Sequence, residues 1–132
     1  MLAVENQLQT AEVGAVPSVV NFSGKWRNQL GSEMELATDV SGRVTGRYRT
    51  NVGSPQPAEE FDLTGFVTGD LIVFCVNFGK YGSATSWAGQ HTREAGGERL
   101  HTLWHLAQNI PDVNEPTGLW RGILAGADTF FR

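Results

Sequence analysis

From Asn21 to Arg132 the chain never runs far without a signal for reversal. Asp39–Gly42, Gly53–Pro57, Thr68–Asp70, Gly79–Gly82 and Ala95–Gly97 each combine glycine with Asp, Pro, Ser, Thr or a second glycine, and a longer loop spans Gln108–Gly118. Between them lie short runs rich in Val, Thr, Phe, Tyr and Trp, the pattern of antiparallel strands joined by hairpins. The spacing predicts strands near 23–30, 32–38, 43–50, 60–67, 71–78, 84–93, 98–107 and 119–130. No segment carries helical periodicity over a useful length. Eight consecutive strands suit an eight-stranded antiparallel up-and-down β-barrel, an all-β meander that removes exposed sheet edges by closing on itself. A two-sheet sandwich is the alternative.

Period-two alternation sorts the faces. In "RVTGRYRT", Val44, Gly46, Tyr48 and Thr50 oppose Arg43, Arg47 and Arg49, so Tyr48 and Thr50 are expected inside. Ile72, Phe74, Val76 and Phe78 oppose Val73, Cys75 and Asn77. Thr102, Trp104 and Leu106 oppose His101, Leu103 and His105, and Ser32, Met34 and Leu36 oppose Glu33 and Glu35. The expected interior is therefore mixed: aromatic walls accompany Asn28, Ser32, Tyr48 and Thr50. Each such group costs about 1–3 kcal/mol when buried without a partner. A barrel of this size can hold one small ligand, and polar groups above an apolar floor point to one.

Composition narrows the partners. The 132 residues are 40% hydrophobic and carry a formal net charge of -4, enough for one compact domain. They offer no basic stripe for nucleic acid. No apolar run approaches the length of a bilayer-spanning helix. Cys75 is the single cysteine, which rules out an internal disulfide and leaves a reduced thiol or a bridge between chains. Residues 1–20 read as a mobile arm before a single domain, 21–132. Glu5 and Glu12 spoil this arm as a signal peptide.

Four bland or competing readings stand beside the ligand-binding one. His101 and His105 lie on a strand and face outward, and no third ligand is placed by the pattern, so no metal site is expected. Ser83 and His91 lack a nucleophile elbow and a base of fixed geometry, so no catalytic residues are expected. Cys75 is expected to be a small buried or interfacial hydrophobe, and Trp26 a core residue plugging one end of the barrel.

Five segments, "GKWRNQLGS", "GRVTGRYRTNVG", "SATSWAGQ", "LHTLWHL" and "GLWRGILAGADTF", occur in order from about Asn21 to Phe130. Together the chain resembles the avidin and streptavidin family of biotin-binding proteins over nearly the whole domain. The resemblance implies high-affinity, non-catalytic sequestration of biotin, with no cofactor. Asn28, Ser32 and Tyr48 match the donors to the ureido oxygen. Asp128 and Thr50 match the acceptors for the two ureido N–H groups. Thr85 matches the residue facing the thioether sulfur, and Ser83 with the backbone N–H of Ser54 matches the carboxylate end. Leu30, Trp87, Trp104 and Leu106 match positions lining the site, and Phe78 stands where the family usually has tryptophan. Trp120 matches a lid donated to a neighbour's pocket. With outward Leu103, Ala125 and Ala127, that implies a homotetramer, with a homodimer as alternative. The short "GKYG" turn is expected to open the carboxylate end. A secreted or periplasmic location is implied by the resemblance alone. A lipocalin-like carrier of another small apolar ligand would instead need a pocket without convergent polar groups.

Overall fold

The computed structural model describes residues 20–51, 53 and 59–132; Ser54 and the arm expected before the domain, up to residue 19, lie outside the described residues. Eight strands follow one another: β1 (Gly24–Asn28), β2 (Glu33–Thr38), β3 (Arg43–Arg49), β4 (Phe61–Thr68), β5 (Leu71–Phe78), β6 (Ser83–Glu94), β7 (Gly97–Gln108) and β8 (Ile123–Phe131). Each pairs antiparallel with the next, and β8 returns to β1 to close the barrel. That closure selects the barrel over the sandwich.

Strand ends depart from the expected bounds where the chain must turn. Residues 29–31 leave β1 for a hairpin in which the Gly31 N–H donates to the Asn28 carbonyl at 3.0 Å. Gly31 takes φ +84°, a conformation open to glycine. Residues 119–122 are a 3₁₀ turn rather than the start of β8. Gly122 is buried there, where a Cβ would overlap the Gln108 carbonyl, so β8 begins only at Ile123.

The face assignment follows the alternation. Met34, Leu36, Val44, Tyr48, Ile72, Phe74, Val76 and Phe78 are buried, while Arg43, Arg47 and Glu35 lie outside. Cys75 is exposed on the outer face of β5, so within one chain it is not a buried hydrophobe. Phe74 stacks on Trp87 with ring centroids 4.9 Å apart, and Phe130 meets both edge-on. Such aromatic contacts add stability beyond their area.

Trp26 closes one end. Its Nε1–H donates to the Phe22 carbonyl at 2.9 Å, and the Arg132 guanidinium lies 4.1 Å above its ring. Arg132 also donates to the Ser23 and Asn21 carbonyls and to both Glu98 oxygens. Buried His91 packs edge-on to Phe22 and Trp26 and reaches Glu98 Oε1 at 2.8 Å. This plug leaves the opposite end, where β1, β3, β5 and β7 finish, as the mouth.

Candidate functional site

Above the aromatic floor lies a cavity of about 170 Å³. Asn28, Leu30, Ser32, Tyr48, Thr50, Phe78, Thr85, Trp87, Trp104, Leu106 and Asp128 line it. Residues from β1, the first hairpin, β3, β5, β6, β7 and β8 thus converge on one place. Ser83 stands one inward position nearer the mouth than Thr85 and is not part of the lining. Trp120 is 80% exposed and lines no part of its own chain's cavity. A hollow of about 310 Å³ outside β1–β3 is lined by Lys25, Glu33, Glu35, Arg47 and Arg49. These charges pair with one another or with Asp62; Met34 and Glu60 complete the lining.

Local hydrogen bonding fixes what each polar group can still offer. Asn28 ends β1, and its Oδ1 accepts from the backbone N–H groups of Leu30 and Ser32 at 3.0 and 2.9 Å. The carbonyl is thereby committed to the hairpin, leaving the amide NH₂ for the cavity. The Ser32 Oγ accepts from the Asn51 N–H at 2.9 Å, so its hydroxyl proton is the part left to donate, here within the bond to Tyr48. Tyr48 and Ser32 share a side-chain hydrogen bond. Burial pushes the Tyr48 phenol well above its usual range; the Ser32 bond opposes this, and nearby Asp128 adds to it. Tyr48 is therefore a neutral O–H at any physiological pH. Thr50 follows β3 and contributes a hydroxyl to the same lining.

On β8, the strand next to β1, Asp128 is 8% exposed and lines the same cavity. Its Oδ2 accepts from Trp87 Nε1–H at 2.8 Å, and its Oδ1 accepts from Gln29 Nε2–H at 2.7 Å. Its backbone carbonyl accepts from the Thr102 hydroxyl at 2.8 Å. Two donors occupy a carboxylate with room for about four, so accepting capacity remains toward the cavity.

The walls depend on equally local features. Trp104 on β7 pairs with Gly126 on β8, where a Cβ would overlap the indole. Glycine at 126 lets that ring lie across the neighbouring strand. Phe78 contacts Phe61 and Tyr48 edge-on, carrying the aromatic lining toward the mouth. The following turn, Gly79–Tyr81, is a single 3₁₀ turn closed by Gly82 at φ +71°. Among the described residues no group of His, Cys, Asp and Glu could hold a metal ion.

Two supporting residues escaped sequence reasoning. Gln29 clamps Asp128, while its Oε1 accepts from the Thr129 N–H at 3.0 Å. Asn51 binds the hairpin twice, through Ser32 Oγ and, from its Nδ2, the Leu30 carbonyl at 2.9 Å. Both face away from the interior by alternation. Their one sequence signal is an amide side chain beside a position expected in the site.

Known proteins match this chain in sequence and in fold. The Avidin family model matches residues 16–132. The chain belongs to the avidin family. It is 31% identical over 121 residues to avidin of Gallus gallus, covering 85% of this chain and 78% of that protein. Among solved structures, xenavidin is similar with a TM-score of 0.73 and 34% identity, over 85% of this chain and 96% of that one. A rhizavidin–biotin complex is similar with a TM-score of 0.68 and 31% identity, over 83% and 97% of the two chains. Members of this family are non-catalytic biotin-binding proteins, for which biotin is a ligand and not a cofactor.

Proposed function

We propose that this avidin-family chain captures biotin without transforming it. One observation carries the reading. Within one cavity, Asn28, Ser32 and Tyr48 supply donors, the last two sharing a bond that a guest's carbonyl would replace, while Asp128 supplies lone pairs. A cyclic urea has the complementary pattern, a carbonyl that accepts and two N–H groups that donate. The three donors take the ureido oxygen, and Asp128 and Thr50 take the N–H groups. Convergent donors favour a polarised carbonyl, and charge-assisted bonds are the stronger kind. Thr85 meets the thioether, and Leu30, Phe78, Trp87, Trp104 and Leu106 enclose the bicyclic head. The cavity is smaller than the ~300–1,000 Å³ of pockets that take drug-sized ligands. The head therefore fills it and the tail runs to the mouth, toward Ser83. An apolar carrier of the lipocalin type would leave these polar groups unmatched.

Exposed Trp120 supports the assembly reading: a homotetramer in which this indole covers a neighbour's mouth. Family membership alone supports secretion or a periplasmic location. A biotin titration tests the binding itself. A tight ligand that binds only the folded chain raises its melting temperature by mass action. We expect a large rise, with a change in tryptophan emission as Trp87 and Trp104 lose water. An unmoved melting curve at saturating biotin would remove the reading.

A further inference from the structure

The hairpin between β1 and β2 has two of the three donors at its ends, Asn28 and Ser32, yet it lies past the sheet that should hold it. The β2–β3 ladder stops at Glu33–Arg49, and residues 29–31 project beyond. Inside the hairpin the Asn28 N–H donates to the Ser32 carbonyl at 2.9 Å, and Asn28 Oδ1 accepts from the Leu30 and Ser32 N–H groups. These bonds set the hairpin's shape. The Tyr48–Ser32 bond ties it to β3, but a guest's carbonyl would replace that bond. A tie that outlasts binding has to come from another residue.

Asn51, just past the end of β3, supplies it. Its backbone N–H donates to Ser32 Oγ and its Nδ2–H to the Leu30 carbonyl, both at 2.9 Å. Leu30 is thereby pinned on both sides, its N–H by the Asn28 side chain and its carbonyl by the Asn51 side chain. The fit is close, since a Cβ on Gly31 would stand 3.1 Å from Asn51 Nδ2. Glycine at 31 therefore serves the turn and also leaves the amide room to reach across.

We propose that Asn51 is a positioning residue for the ligand's carbonyl oxygen: its two bonds lock the hairpin to β3, so that Asn28, Ser32 and Tyr48 converge before a guest arrives. The claim rests on the biotin reading above and adds to it a residue outside the cavity lining. Donors fixed in advance leave little ordering cost for binding. Asn51 is exposed, so water replaces its side-chain bond when the amide is removed, and the barrel loses little stability. The loss falls on convergence instead. Without the Leu30 tie, the backbone N–H of residue 51 leaves Ser32 Oγ, and the hydroxyl is free to turn away from Tyr48.

Two measurements on the full chain compare wild type with Asn51→Ala, Asn51→Asp, Ser32→Ala and the double variant Asn51→Ala with Ser32→Ala. In ligand-free protein, amide exchange followed by NMR is expected to quicken about tenfold at Leu30 and Ser32 in Asn51→Ala. Trp26 and Met34, paired within the β1–β2 ladder, keep their rates. Labelled biotin is expected to leave Asn51→Ala about five- to tenfold faster than wild type. It leaves Asn51→Asp at least as fast, because that variant keeps the shape but sets a carboxylate oxygen against the Leu30 carbonyl. On the Ser32→Ala background the effect of Asn51→Ala shrinks to about twofold, the group it positions being gone. Additive losses in the two backgrounds, wild-type dissociation from Asn51→Asp, or unchanged exchange at Leu30 and Ser32 each overturn the positioning role. Failure of wild type to bind biotin removes the functional reading instead, and the exchange rates then decide alone whether Asn51 locks the hairpin.

Discussion

Gln29 Nε2–H donates to Asp128 Oδ1 at 2.7 Å across the join between β1 and β8. An exposed hairpin side chain therefore orients a buried acceptor at the heart of the cavity. Gln29→Ala leaves Asp128 held by Trp87 alone. Hydrogen bonds to charged groups are worth about 1.5–3 kcal/mol, and part of that loss reaches the ligand. We expect biotin affinity to fall about tenfold, mostly as faster dissociation. Gln29→Glu sets a second carboxylate against the first and lowers affinity further. Dissociation rates of labelled biotin from the two variants check both; equal rates for wild type and Gln29→Ala would reduce Gln29 to a surface residue.

Trp120→Ala removes an indole that makes no wall of its own cavity. If the indole covers a neighbour's mouth, the substitution weakens biotin binding and lowers the assembled mass together, with little change in the strand content of each barrel. Calorimetric titration and light scattering on one preparation provide the comparison. Unchanged mass with unchanged affinity would leave Trp120 without a role between subunits.

Gly126→Ala tests the wall from behind. The new methyl competes with the Trp104 indole for one position, and overpacking of this kind typically costs about 1–3 kcal/mol. We expect a lower melting temperature and weaker biotin binding, since the ring must leave its place beside the cavity. Thermal melts with and without biotin separate the two effects; wild-type values for both would show that the indole has room to yield.

Acid sensitivity of the closed end has a definite sign. Arg132, with His91, holds the Glu98 carboxyl down to about 2 against an ordinary 4.5, although burial opposes the shift. A depressed folded-state value means that Glu98 stabilises the fold above about 4.5 and loses that contribution as pH falls toward 2. Glu98→Gln should therefore melt lower than wild type at neutral pH, and the gap should narrow across that acid window. Melting temperatures across the series test this; a constant gap would assign the effect of Glu98 to packing.

The barrel was legible in the sequence because its signals are local and repeated. Glycine-bearing turns marked the hairpins, and alternation in the β3 and β5 segments assigned faces that burial then matched. The cavity lining was legible for a different reason. Asn28, Ser32, Tyr48 and Asp128 sit on inward positions where a packed core would want carbon, and motif resemblance grouped them. Gln29 and Asn51 were not legible, because outward parity says only that a side chain can reach solvent. Reaching around a strand end to a carboxylate depends on how β1 meets β8, a relation between residues about a hundred apart. The start of β8 failed for a related reason: Leu119 and Trp120 read as strand, but close packing at Gly122 sets where the ladder begins.

The join between β1 and β8 spans only Arg27–Phe131 and Asn28–Phe130, whereas β7 and β8 pair from Arg99–Phe131 to Ala107–Ile123. The cylinder is thus fastened most sparsely at the seam whose two strands carry Asn28 and Asp128 into the cavity lining. A guest gripping both acts as a rivet through that seam, so occupancy and closure of the wall reinforce each other. Amide protons along this line should be the ones whose exchange slows most when the cup is filled.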